Sequence, residues 1–83
     1  MKIKDGYVLQ DLPGMAVVVP QGDEKYFLKL NSTAAFIWRA FESENDPDSV
    51  ARALAAKYSI SYERALQSVR KTVDEWLGSG FIE

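Results

Sequence analysis

The sequence contains no histidine and no cysteine, only three prolines and five glycines, and no long apolar run. The first two absences exclude the most. Without cysteine there is no disulfide, no thiolate nucleophile, no cysteine-liganded zinc and no iron–sulfur cluster. Without histidine there is no imidazole general base and no imidazole metal ligand. Carboxylates and lysines remain for acid–base work, but they need strong pKa shifts. A chain of 83 residues offers little buried space in which to produce them. P-loop, Gly-x-Gly-x-x-Gly and Gly-x-Ser-x-Gly patterns are missing as well. The expectation is a protein that is not an enzyme and holds no cofactor or metal.

Met15 to Val19 is the longest apolar run, far short of the roughly 20 residues that span a bilayer. The start, Met1-Lys2-Ile3-Lys4-Asp5-Gly6, is polar and lacks signal-peptide shape. A cytoplasmic protein without a membrane partner is expected. Neither sign of charge dominates: 10 Lys and Arg stand against 12 Asp and Glu, a net charge of −2. Nucleic-acid modules carry a basic surplus, because Lys and Arg contacts to phosphate supply most of their affinity. What the chain does have is 47% hydrophobic and 27% charged residues, the balance of a chain that buries a core. Chains of this size bury only roughly 60% of their unfolded surface, so one modest core and one domain over residues 1–83 are expected.

Strands come first. Tyr7 to Leu12 has β-branched and aromatic character and stops at the turn dipeptide Pro13-Gly14. Met15 to Pro20 is apolar without alternation, which suits a central strand covered on both faces. Pro20-Gln21-Gly22-Asp23 is the next turn, and Lys25 to Leu30 the third strand. Short connections favour an antiparallel meander.

Three helices follow. Asn31-Ser32 offers a cap, and Ala34, Ile37, Trp38 and Phe41 recur at helical spacing over about 32–42. Asp46 and Pro47 open a second helix, about 47–58, with Val50, Leu54 and Tyr58 on one face. Ser61 caps the third, about 62–79, which carries Tyr62, Leu66, Val69, Val73, Trp76 and Leu77 and ends at Gly80 with Phe81 folding back on Trp76. The order is β-β-β-α-α-α, an α+β class of winged-helix-like form.

In a meander the third strand lies on an edge, with backbone N–H and C=O groups facing outward. Lys25 and Lys29 act as gatekeepers against unwanted pairing, or a helix covers the edge. The sharper reading is an edge kept open for a peptide that adds as a strand, along Lys25, Tyr26, Phe27, Leu28 and Lys29. On the third helix, Arg64, Ser68, Lys71, Thr72 and Glu75 form a second row beside the core stripe. A solvated face explains that row, and so does a groove wall over the same edge. Glu42, Glu44, Asp46 and Asp48 cluster around one loop but lack an EF-hand pattern, and capping explains them better than a cation. A winged-helix DNA-binding protein is the alternative. Its reading helix would carry Arg64, Arg70 and Lys71 against Glu63, Asp74 and Glu75, a poor match for phosphate.

The stretch Leu30-Asn31-Ser32-Thr33-Ala34-Ala35-Phe36-Ile37-Trp38 resembles the hallmark Leu-Asn-x-Thr-(Gly/Ala)-x-x-Ile-Trp of the PqqD-like family. That family comprises peptide-recognition domains that serve ribosomally made, modified peptides. Val50 to Tyr58, Val69 and the closing Gly80-Phe81-Ile82 also fall where the family has its helices and its end, so the resemblance runs from about Gly6 to Ile82. It implies a domain that binds a precursor's leader peptide as a strand on the third strand, in the cleft against the third helix. It also implies a separate modifying enzyme as partner, such as a radical-SAM maturase or a leader peptidase and cyclase pair. A stand-alone domain is expected, monomeric or paired edge to edge as a homodimer. Relatives often place an acidic residue just before the third-helix valine, where this chain has Ser68.

Overall fold

A computed structural model of the chain describes residues 3, 6–20, 27–43 and 46–82. Three strands, β1 (Tyr7–Leu12), β2 (Met15–Pro20) and β3 (Leu28–Leu30), precede three helices, α1 (Ser32–Ser43), α2 (Pro47–Tyr58) and α3 (Tyr62–Ser79). The sheet is antiparallel in the order β1-β2-β3. This is the expected α+β architecture. The third strand is shorter than expected: Phe27 stands just before it, and Lys25 and Tyr26 lie outside the described residues, as do Gln21 to Asp23 and Glu44.

Leu12 pairs with Met15 across Pro13 and Gly14. Gly14 has φ +75°, the positive value that the second central residue of a type II turn requires, with proline before it. Burial on β2 alternates. Ala16 and Val18 are buried against the helices, while Met15, Val17 and Val19 are half-buried on the outer face. Cover on both faces, expected from the unbroken apolar run, is therefore corrected: α1 packs on β2 and β3, Ala16 and Val18 are buried, and the outer face keeps partial access to solvent. Val8 and Leu12, paired with Val19 and Met15, are exposed on that same face.

Each helix starts on a side-chain cap that satisfies an otherwise orphaned backbone donor. Asn31 Oδ1 accepts from the Ala34 N–H (2.8 Å), Asp46 Oδ1 from Asp48 (3.3 Å), and Ser61 Oγ from Arg64 (3.2 Å). Asp46 thus does the capping work read from the sequence. α3 ends at Gly80, φ +83°, and the Phe81 N–H donates to the Trp76 carbonyl at 2.8 Å, the outer bond of a Schellman motif. The Phe81 ring packs on Tyr7 and Trp38, with centroids 5.0 and 6.1 Å away. An isolated bridge between Ile3 and Ile82 closes the same end.

Trp38 is fully buried and meets Trp76 edge to face, with centroids 5.2 Å apart. Its indole N–H has no hydrogen-bond partner, so size and shape fix this residue rather than polarity. Val69, Val73 and Trp76 are core as expected, joined by Ala65. Tyr62 and Leu77 were expected on the core stripe but are 38% and 46% exposed: Tyr62 stands in line with Val69 and Val73 but in the first turn of α3, where the neighbouring elements cover it less, and Leu77 lies to the side of the buried row. Trp38→Ala should cost about 3–5 kcal/mol in a urea melt. Trp38→Phe should cost clearly less, since it keeps an aromatic ring and removes an unpaired donor. Equal losses would contradict this packing.

Asp48 accepts from the Tyr62 hydroxyl and, at 3.0 Å, from Arg52 Nε, tying the first turn of α2 to that of α3. The Tyr62 hydrogen bond, then the Arg52 charge, hold the Asp48 carboxyl below its ordinary range against an opposing desolvation. The same hydrogen bond to Asp48 raises the Tyr62 phenol. A lowered carboxyl stabilises above its unfolded pKa and loses that stability as pH falls through the folded value; a raised phenol does the reverse in alkali. Tyr62→Phe should therefore lower stability slightly near neutrality and converge with the parent in acid and in alkali. A pH series of denaturant melts measures it.

Candidate functional site

β3 follows β2 in the sheet and, among the described residues, pairs with nothing else. Among the described residues, its outer backbone groups therefore meet no strand partner. Side chains alternate along it: Leu28 and Leu30 share the inner face with Val18 and Ala16, and Lys29 shares the outer face with Val17. Leu30 is buried, whereas Leu28 is only half-buried. The inner face of the edge strand is thus incompletely covered.

α3 stands across from that uncovered face. Its buried row of Ala65, Val69, Val73 and Trp76 fixes the helix's rotation about its own axis. That rotation turns Ser68, Lys71, Thr72 and Glu75 to one flank, since residues three and four apart lie above one another on a helix. Between β3 and this flank opens a cleft of about 390 Å³. Leu28, Lys29 and Leu30 line one side, the α3 residues the other, and Asn31, Thr33 and Ala34 the end. Trp76 reaches into it from the core. Ser68 and Thr72 are half-buried, while the long charged side chains of Lys71 and Glu75 are exposed. The lining offers hydroxyls and charge above an apolar floor, with free backbone groups along one side.

Six residues singled out from the sequence thus come together: Leu28, Lys29, Ser68, Lys71, Thr72 and Glu75. Phe27 does not line the cleft; it is 68% exposed beside the start of β3. Arg64 is also exposed and outside the lining, one turn of α3 before Ser68. Leu30, Asn31, Thr33, Ala34 and Trp76 join the lining although their sequence reading was structural. Their signal was proximity: the chain leaves the edge strand at Leu30 and enters α1 at Ser32, so whatever meets the edge meets the start of α1. A larger depression of about 510 Å³, walled by Tyr62, Leu66 and Leu77, lies on the other flank of α3. It borders no free strand edge, which leaves the β3 cleft as the better-equipped site.

Among the described residues no three potential metal-ligating side chains gather, and no helix is long and apolar enough to cross a membrane.

The model of one protein family, coenzyme PQQ synthesis protein D (PqqD), matches residues 15–82. The chain belongs to the PqqD family. All of the cleft-lining residues of this PqqD-family chain fall inside the matched segment. No curated protein matches it in sequence. Among solved structures it is similar to TbiB1 in complex with the TbiA(beta) leader peptide, with a TM-score of 0.85 at 20% identity. The likeness covers 100% of this chain and 95% of that one, and at this identity it establishes the fold.

The free edge has a direct readout. In Leu28–Leu30, amides turned away from β2 should exchange rapidly with deuterium, and those paired to β2 slowly. Uniform protection of all three amides, followed by NMR, would mean the edge is covered.

Proposed function

We propose that this PqqD-family chain binds the leader segment of a ribosomally synthesised precursor peptide as a strand added to β3, and delivers it to a separate modifying enzyme. The observation that carries the reading is the cleft that joins a free strand edge to the polar flank of α3. Family membership and the shared fold of TbiB1, whose structure holds a leader peptide, support it. Backbone hydrogen bonds to Leu28 and Lys29, continued along Lys25, Tyr26 and Phe27, supply affinity for any extended chain. Ser68, Lys71, Thr72 and Glu75 supply discrimination from across the cleft, and Arg64, one turn earlier, meets a longer segment. The domain does no chemistry of its own. By holding the precursor it raises the effective concentration at a radical-SAM maturase or a leader peptidase and cyclase pair, which tethering achieves without new active-site contacts. Cytoplasmic residence and a monomeric state awaiting peptide complete the reading.

Titration with the leader of a precursor encoded beside this gene, followed by NMR, is the first test. Shifts should gather at Phe27–Leu30 and on the Ser68–Glu75 flank; shifts confined elsewhere would sink the reading. Proline scanning tests strand addition itself. Of two consecutive strand residues, one N–H faces the neighbouring strand and the other faces away. Phe27→Pro and Leu28→Pro should therefore part company. Loss of an outward donor should weaken leader binding roughly 3- to 10-fold with the fold intact, the worth of one hydrogen bond. Loss of an inward donor should instead lower stability. Unchanged affinity in both folded variants would count against an added strand.

A further inference from the structure

Lys71 and Glu75 sit one turn apart on the α3 flank, both exposed and both lining the cleft. Helix stability gives little reason for them. The two ion pairs among the described residues, Arg39 with Asp11 and Arg52 with Asp48, involve neither residue. Lys followed by Glu four residues on is the weaker order for a pair on a helix. Glu75 stands just before the last turn of α3, which carries no basic residue to pair with it. Lys29 does not complement Glu75 across the cleft, because alternation turns it to the outer face of the sheet with Val17.

The spacing of the two charges matches an extended chain. Residues four apart on a helix are separated by about 6 Å along its axis. Alternate residues of a strand, which share one face, are separated by about 6.6–6.8 Å. Two successive inward side chains of a strand lying on β3 therefore reach one charge each. Their stems lie over the apolar floor of Leu28, Leu30 and Trp76, and their heads stay at the wet rim.

We infer that the strand recognised by this cleft carries an acidic and a basic side chain two residues apart, the acid held by Lys71 and the base by Glu75. The inference rests on the peptide-binding reading and adds the chemistry of the occupant. It also gives the cleft a sense of direction. For a strand pairing in one fixed direction, antiparallel being the more stable, the opposite charge order brings acid to Glu75 and base to Lys71, and like charges in contact repel.

Three strand-length synthetic peptides decide it, identical apolar and threonine-rich sequences with Glu-Val-Lys, Lys-Val-Glu or Gln-Val-Gln at the centre. Each is titrated by NMR against the full chain and against the double variant Lys71→Glu/Glu75→Lys. The parent should favour one charged order over the other by roughly tenfold at low salt, as expected when two exposed pairs are exchanged for two repulsions. The preference should shrink with added salt and invert in the double variant. Equal affinity for both orders, or an uninverted preference in the folded variant, overturns the charge assignment and leaves peptide binding standing. Failure of all three peptides to bind, the neutral one included, overturns the peptide-binding reading and this inference with it.

Discussion

The edge-to-face contact between Trp38 and Trp76 is the constraint on which the cleft depends. β3 and α1 are joined by Asn31 alone, so the position of α1 follows that of the edge strand. α1 in turn carries Trp38, and α3 carries Trp76. That ring pair, together with α2 packed against both α1 and α3, sets the separation between β3 and the α3 flank by core packing. Tyr7 and Phe81 close around Trp38, which brings β1 and the chain after α3 to the same cluster. An interior packed to crystal density resists small displacements, so a wall anchored this way keeps its place.

A protein this small cannot keep separate residues for stability and for recognition. Leu30 and Trp76 are buried members of the core and also line the cleft. Asn31 caps α1 with its side-chain oxygen and also lines the opening. The backbone of β3 is the economical part. Its inner side belongs to the sheet and its outer side meets no strand among the described residues, and neither side needs a particular side chain.

Helix positions were legible in the sequence because cap and period agreed. Asp46 with Pro47, and Ser61 with the repeat of Val69, Val73 and Trp76, mark boundaries that the structure keeps. The flank of α3 was legible for the same reason, since a core stripe at helical spacing fixes what lies beside it. Burial of β2 was not legible. Its unbroken apolar run hid an alternation that depends on which face receives the helices, and that is a tertiary fact. The exposure of Tyr62 and Leu77 escaped for a related reason: periodicity shows which face is apolar but not how much of it a neighbour covers. Pairing of Asp48 with Tyr62 joins two helices through residues 14 apart, a distance over which local pattern carries no signal.

Trp76 couples occupancy to folding. A molecule that binds the folded cleft and not the unfolded chain raises the resistance to unfolding by mass action, and this cleft shares Trp76 with the core. The empty form is then the more fragile one. Where transiently unfolded molecules are triaged by proteases, such coupling ties the lifetime of the chain to whatever occupies its cleft.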